Sequence, residues 1–144
     1  MRCGPAAGLS LFRITGFFAV FLLGTCTSAV LHAEGLKSGE QVYKETCSAC
    51  HATGQAGAPK FGDGKKWAPL IKEGQHVLTA HAWVGVRGMP AKGGRADLSL
   101  EEFARATAYM ARAAGGDWKD PDAKVLSRIR EEEKERLRRL KAKK

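Results

Sequence analysis

The five residues Cys47-Ser48-Ala49-Cys50-His51 put two thiols and an imidazole within little more than one helical turn. Two cysteines at this spacing, followed at once by histidine, are the arrangement used for covalent haem c attachment. Each thiol can close a thioether bond to one vinyl group of the porphyrin. His51 is then held under the iron, where it can supply an axial nitrogen. Two other chemistries share part of the pattern. A thioredoxin-like Cys-x-x-Cys belongs in a βαβ context, which this sequence lacks. A structural zinc site needs a fourth ligand, and no cysteine follows Cys50. Haem c is therefore the expected cofactor, one per chain.

The chain has 144 residues and a formal net charge of +9, unevenly spread. Residues 34–118 hold 11 basic and 9 acidic side chains, whereas residues 119–144 hold 11 and 6. Three parts follow: a leader over 1–33, a haem-bearing body over 34–118 and a basic, charged helical tail over 119–144. In the leader, Arg2 and Arg13 precede Ile14–Leu31, an uncharged and mostly apolar run of 18 residues. Small residues at Thr27-Ser28-Ala29 and Ala33 offer cleavage sites. The run is at the lower limit for a membrane span. Gly16, Gly24 and Ser28 dilute it, so a cleaved signal peptide is favoured over a retained anchor. Cys26 after Leu23-Gly24-Thr25 is only a faint lipoprotein signal, and Cys3 and Cys26 give no reason to expect a structural disulfide. Either outcome places the body outside the cytoplasm, in the periplasm, where haem ligation to thiols takes place. A folded unit from Glu34 to about Asp120 is roughly 85 residues, a size at which an apolar core alone is marginal. A buried haem would supply the missing apolar volume.

Gly35–Cys47 is expected to be helical, with Ser38 as N-cap and Gln41 completing a capping box. Gly39 in its first turn is read as a close helix crossing. Residues 51–66 contain Gly54, Gly57, Pro59, Gly62 and Gly64 with Ala56, Ala58 and Phe61 between them, which describes a loop lining a pocket. A metal-bound histidine usually donates its second ring N–H to a carbonyl or carboxylate. The Pro59 carbonyl is the candidate acceptor for His51. Trp67–Glu73 and Gln75–Val84 read as short helices. Trp67 and Trp83 are expected to line the haem pocket or core, each indole N–H meeting a propionate or a carbonyl. His76 and His81 are read as surface or core residues rather than ligands. Met89 lies 38 residues after His51 in an irregular Gly-Met-Pro stretch. A soft thioether opposite imidazole suits haem iron, so Met89 is the candidate sixth ligand.

Ser99–Ala113 is the clearest helix, with a Ser99–Glu102 capping box and Gly115-Gly116 as its stop. Beyond Trp118 and Pro121 the chain becomes charged. Leu126, Ile129, Leu137 and Leu140 make a thin apolar seam interrupted at Glu133. Opposite charges at four-residue spacing describe a solvated helix or frayed tail. The alternative is a basic arm that docks on an acidic partner or anionic lipid.

The region from Gly39 to Met110 resembles small class I bacterial cytochromes c, closest to the cytochrome c-five type. The likeness is carried by Tyr43, Cys47-Ser48-Ala49-Cys50-His51, Gly57-Ala58-Pro59-Lys60, Gly62-Asp63, Trp67-Ala68-Pro69, Met89-Pro90-Ala91-Lys92-Gly93-Gly94 and Leu98-Ser99-Leu100-Glu101-Glu102. It implies an all-α bundle wrapped around one haem, with thioether roles for Cys47 and Cys50 and ligand roles for His51 and Met89. It further implies one-electron carriage between redox partners such as the membrane complexes of a respiratory chain, without catalysis and without nucleic acid. The tail beyond Trp118 departs from the family pattern. Two rivals remain at this point: a haem subunit of a larger membrane oxidoreductase, and a gas-binding or peroxidatic protein with an open iron.

Overall fold

The computed structural model describes residues 35–143, so the leader expected over 1–33 lies outside the described residues. Among the described residues the fold is all-helical, save for a single antiparallel bridge between Val86 and Met89. The N-terminal helical stretch begins later than expected and is not uniform. It comprises α1 (Gly39–Val42), a π-helical turn (Tyr43–Cys47) and α2 (Ser48–His51) in direct succession. Ser38 Oγ accepts the Gln41 N–H at 3.2 Å, which fixes the start at Gly39. The reciprocal half of the expected capping box is not made, because the Gln41 amide donates to Glu45 instead, at 2.9 Å. Asp63 Oδ1 accepts the Lys66 N–H at 3.1 Å and starts α3 (Gly64–Lys72) three residues earlier than the sequence reading. The next helix, α4 (Gln75–Val84), has the expected bounds.

The first long-range decision is made at Gly39. A Cβ there would collide with the Arg105 carbonyl and lie 3.1 Å from Tyr109 Cβ, so only glycine permits this crossing. The partner helix is α5 (Leu100–Ala113), whose capping box forms in full. Ser99 Oγ accepts the Glu102 N–H at 3.2 Å, and the Glu102 carboxylate accepts the Ser99 N–H at 3.0 Å. Those bonds to Ser99 hold the Glu102 carboxyl below its ordinary pKa. Phe103, Ala106, Met110 and Ala111 join Val42, Cys47, Trp67, Leu98 and Trp118 in the main core. Ala104 belongs to a second cluster with Ala80 of α4 and Ile129. Small side chains on both sides let α5 pack against two neighbours at once.

Ile129 is where the tail departs from its reading as a solvated appendage. The helix α6 (Ala123–Ala142) buries Ile129 completely, and residues 34–144 form one compact unit. Burying such a side chain contributes about 1.5–3 kcal/mol. A polar seam alongside runs nearly the length of α4. Arg128 donates to His76 Nε2 at 3.0 Å, His81 Nε2 lies 3.3 Å from Glu132, and Trp83 donates to Glu133 at 3.0 Å. Burial, reinforced by the Arg128 charge, lowers the His76 pKa. Glu133, which looked like a break in an apolar seam, is thus the acceptor for a tryptophan. Sequence periodicity could not show this, because the partner residues lie about fifty positions away. Leu137 and Leu140, beyond the seam, stay 41% and 40% exposed.

Candidate functional site

The π-helical turn ends at Cys47, and α2 carries Cys50 and His51 immediately after it. Helical spacing then puts both thiols on one side of the turn. Cys47 is buried, Cys50 is half-buried, and both are free thiols. Burial pushes the Cys47 thiol up to about 11. A dithiol redox centre depends on a depressed thiol pKa, so this environment opposes thioredoxin-like chemistry. Among the described residues, no group of three or more His, Cys, Asp or Glu side chains converges as a metal-ligand set.

His51 is buried, and its orientation comes from the loop that follows it. Its Nδ1 lies 2.9 Å from the Pro59 carbonyl oxygen. A carbonyl can only accept, so Nδ1 is the donor in this bond, and in the neutral ring that leaves Nε2 as the nitrogen with a lone pair. The loop is tied back twice more. The Phe61 N–H donates to the His51 carbonyl at 2.7 Å, and the Trp67 indole N–H donates to the Lys60 carbonyl at 2.8 Å. Of the two acceptors expected for Trp67, the structure thus has the carbonyl. The Trp67 ring, 2% exposed, stands 6.2 Å from the His51 ring, centroid to centroid. Tyr43 stacks on Phe61 at 4.4 Å, which fastens the loop to the helical turn beneath it.

Met89 sits at the end of a tight hairpin. The Val86 N–H donates to the Met89 carbonyl at 3.1 Å, and the Met89 N–H donates back to Val86 at 2.9 Å. Met89 packs against the core cluster that contains Cys47 and Trp67. The hairpin also meets the His51 loop, since a Cβ on Gly88 would lie 3.6 Å from the Ala56 carbonyl. After Pro90 a 3-10 turn, Ala91–Gly94, brings Gly93 against Thr46, so that a Cβ on Gly93 would lie 3.3 Å from the Thr46 methyl carbon. His51, Pro59 and Trp67 are thus neighbours around the imidazole, and Cys47, Trp67 and Met89 share one core cluster.

The residues present fit a covalently held haem. Two thiols stand at thioether spacing, and the His51 imidazole keeps its Nε2 clear of the Pro59 bond. A thioether lies on the same core, and the buried Thr46 hydroxyl beside Cys47 has no partner. Sequence reasoning missed Glu133 and Arg136 of α6, which reach residues flanking the Met89 hairpin. No local signal could have found them.

Comparison with known proteins agrees with this geometry. A family model described as cytochrome C oxidase, cbb3-type, subunit III, matches residues 34–110. Cytochrome c-555 of Chlorobaculum thiosulfatiphilum is 43% identical over 77 residues, covering 51% of this chain and 90% of the relative. Cytochrome c5 of Azotobacter vinelandii is 40% identical over 78 residues, covering 53% of this chain and 94% of the relative. The cytochrome c in a crystal structure of its electron transfer complex with nitrite reductase is 42% identical. That likeness has a TM-score of 0.51 and covers 53% of this chain and 93% of the other. With more than half of its length matched, the chain belongs to this family: it is a class I c-type cytochrome close to cytochrome c5, an electron-transfer protein that carries covalently bound haem c.

Proposed function

We propose that the protein is a periplasmic one-electron carrier. In this reading Cys47 and Cys50 form the thioethers, and the iron is held between His51 Nε2 and the Met89 sulfur. The observation that carries it is the His51–Pro59 hydrogen bond of 2.9 Å, which fixes the imidazole with Nε2 free. The bound haem supplies a reversible one-electron change at iron, and methionine opposite histidine raises its potential. The chain's own residues do the rest. The Pro59 carbonyl raises the basicity of His51. Trp67 and Phe61 shield the imidazole side from water, and the Met89 hairpin closes the opposite side to external ligands. Ala49 is exposed on the turn between the two thiols, so the adjoining haem edge is the docking face for redox proteins.

The partners in this reading are membrane complexes of a respiratory chain, with residues 1–33 acting as export signal or anchor. Beyond its seam with α4, the end of α6 presents Leu137 and Leu140 among basic side chains, a surface suited to an acidic partner or anionic lipid. Mass spectrometry of native protein tests this directly. The expected mass is one haem added to a chain that begins near residue 34. Rapid binding of carbon monoxide by the reduced protein at neutral pH would rule the carrier out in favour of an open iron site.

A second reading, a haem subunit of a larger membrane oxidoreductase, is favoured by the subunit description of the matching family. Gel filtration of a gentle native extract separates the two, because a lone small species excludes permanent assembly.

A further inference from the structure

We propose that α6 is a brace on the methionine loop, in which Arg136 and Glu133 act as positioning residues that keep the hairpin closed and Met89 on the iron. This rests on the Met89 ligand reading above and goes beyond it, because α6 lies outside the matched residues 34–110.

The hairpin is weakly held by its own sequence. Its only internal tie is the pair of bonds between Val86 and Met89. Arg87 (φ 54°) within it, and Lys92 (φ 54°), Gly93 (φ 64°) and Gly94 (φ 84°) after it, lie in the left-handed region. For the two that are not glycine, that conformation costs about 1–2 kcal/mol each. The bonds that follow, Gly93 to Pro90 and Arg95 to Lys92, close only the turn after Pro90, so the Met89 turn gains from outside support.

That support comes from α6 at two points. The first is Gly85, the residue that opens the hairpin. Its carbonyl accepts from Arg136 Nη2 at 3.2 Å. A Cβ on Gly85 would lie 3.1 Å from the Ala91 nitrogen, so the strands entering and leaving the Met89 turn are pinched together here. The Arg136 Nε–H is buried without a partner, so this guanidinium is not a solvated surface group that touches the loop by chance. The second point is Trp83, whose indole N–H donates to Glu133 at 3.0 Å. Lys92, from the far side of the loop, places its Nζ 4.4 Å from the Trp83 ring centroid. One tryptophan thus links α6 to the limb that follows Met89, while Arg136 holds the limb that precedes it. Ile129, fully buried, anchors the helix that carries both groups.

The test compares haem-loaded wild type with Arg136→Met and Glu133→Leu, using Glu133→Gln as a variant that keeps an acceptor for Trp83. Removing a hydrogen bond to a charged group should make carbon monoxide binding by the reduced protein about tenfold faster. The same loss should speed hydrogen exchange at the Val86 and Met89 amides about tenfold. The sulfur-to-iron charge-transfer band should also disappear at lower pH in both variants, while Glu133→Gln stays near wild type. Wild-type rates and exchange in both Arg136→Met and Glu133→Leu would overturn the brace and leave Met89 ligation standing. A wild-type protein with no charge-transfer band would instead remove Met89 from the iron, and amide exchange alone would then decide whether α6 holds the loop.

Discussion

The loop after His51 and the loop around Met89 flank the proposed haem site, yet they are held in different ways. The first is self-contained. The contacts from Nδ1 of His51 to Pro59, from Phe61 to His51 and from Trp67 to Lys60 all close within 17 consecutive residues. The second closes one bridge of its own and also leans on Glu133 and Arg136, about fifty positions away. The histidine side is therefore encoded next to the attachment motif, where loop closure is cheap. The methionine side depends on the whole chain having folded, so it should be the side that opens first.

The largest expected effect comes from removing the proposed distal ligand. Met89→Ala should lower the potential by on the order of 0.2 V, within the roughly 0.8 V range that axial ligands command. It should also admit carbon monoxide. A potential equal to wild type would take Met89 off the iron and erase the contrast between the loops. Next is Ile129→Ala, expected to cost about 2–5 kcal/mol in urea unfolding. Amide exchange should rise around Val86–Met89 before it rises at Phe61, and equal exposure of both loops would break the comparison. Gly39→Ala probes the opposite side. Overpacking of this kind costs about 1–3 kcal/mol, and it should loosen the helical turn beneath Cys47 by pushing α1 off α5.

The smallest effect is expected at Ser99→Ala, about 1 kcal/mol of stability from the lost cap, with neither loop changed. Its pH dependence has a defined sign. Ser99 depresses the Glu102 pKa from its ordinary 4.5, so that contribution is present above this value and is lost as pH falls through the depressed one. The gap between Ser99→Ala and wild type should accordingly narrow on acidification. A gap that widened in acid would show that the carboxylate is not what the serine stabilises.

Much of the site was legible because its information is local. Cys47, Cys50 and His51 announce the cofactor by spacing alone, and a proline carbonyl eight residues on could be named as the histidine's acceptor. The Ser99–Glu102 box and the bounds of α4 were likewise readable, since caps and apolar periodicity act over a few residues. The tail was misread as solvated for the opposite reason. Its one deeply buried residue, Ile129, sits in a charged sequence, and Glu133 gains meaning only from Trp83 across the helix pair. The π-helical turn at Tyr43–Cys47 left no composition signal either.

By itself, then, the sequence determined an all-helical c-type cytochrome and the Cys47–Cys50 pair at haem c spacing, because bond-forming groups and helix caps are specified by spacing along the chain. Only the tertiary structure decided that α6 belongs to the folded body and reaches the methionine loop. Those contacts join side chains far apart in sequence, and burial in three dimensions, which no local pattern records, selects them.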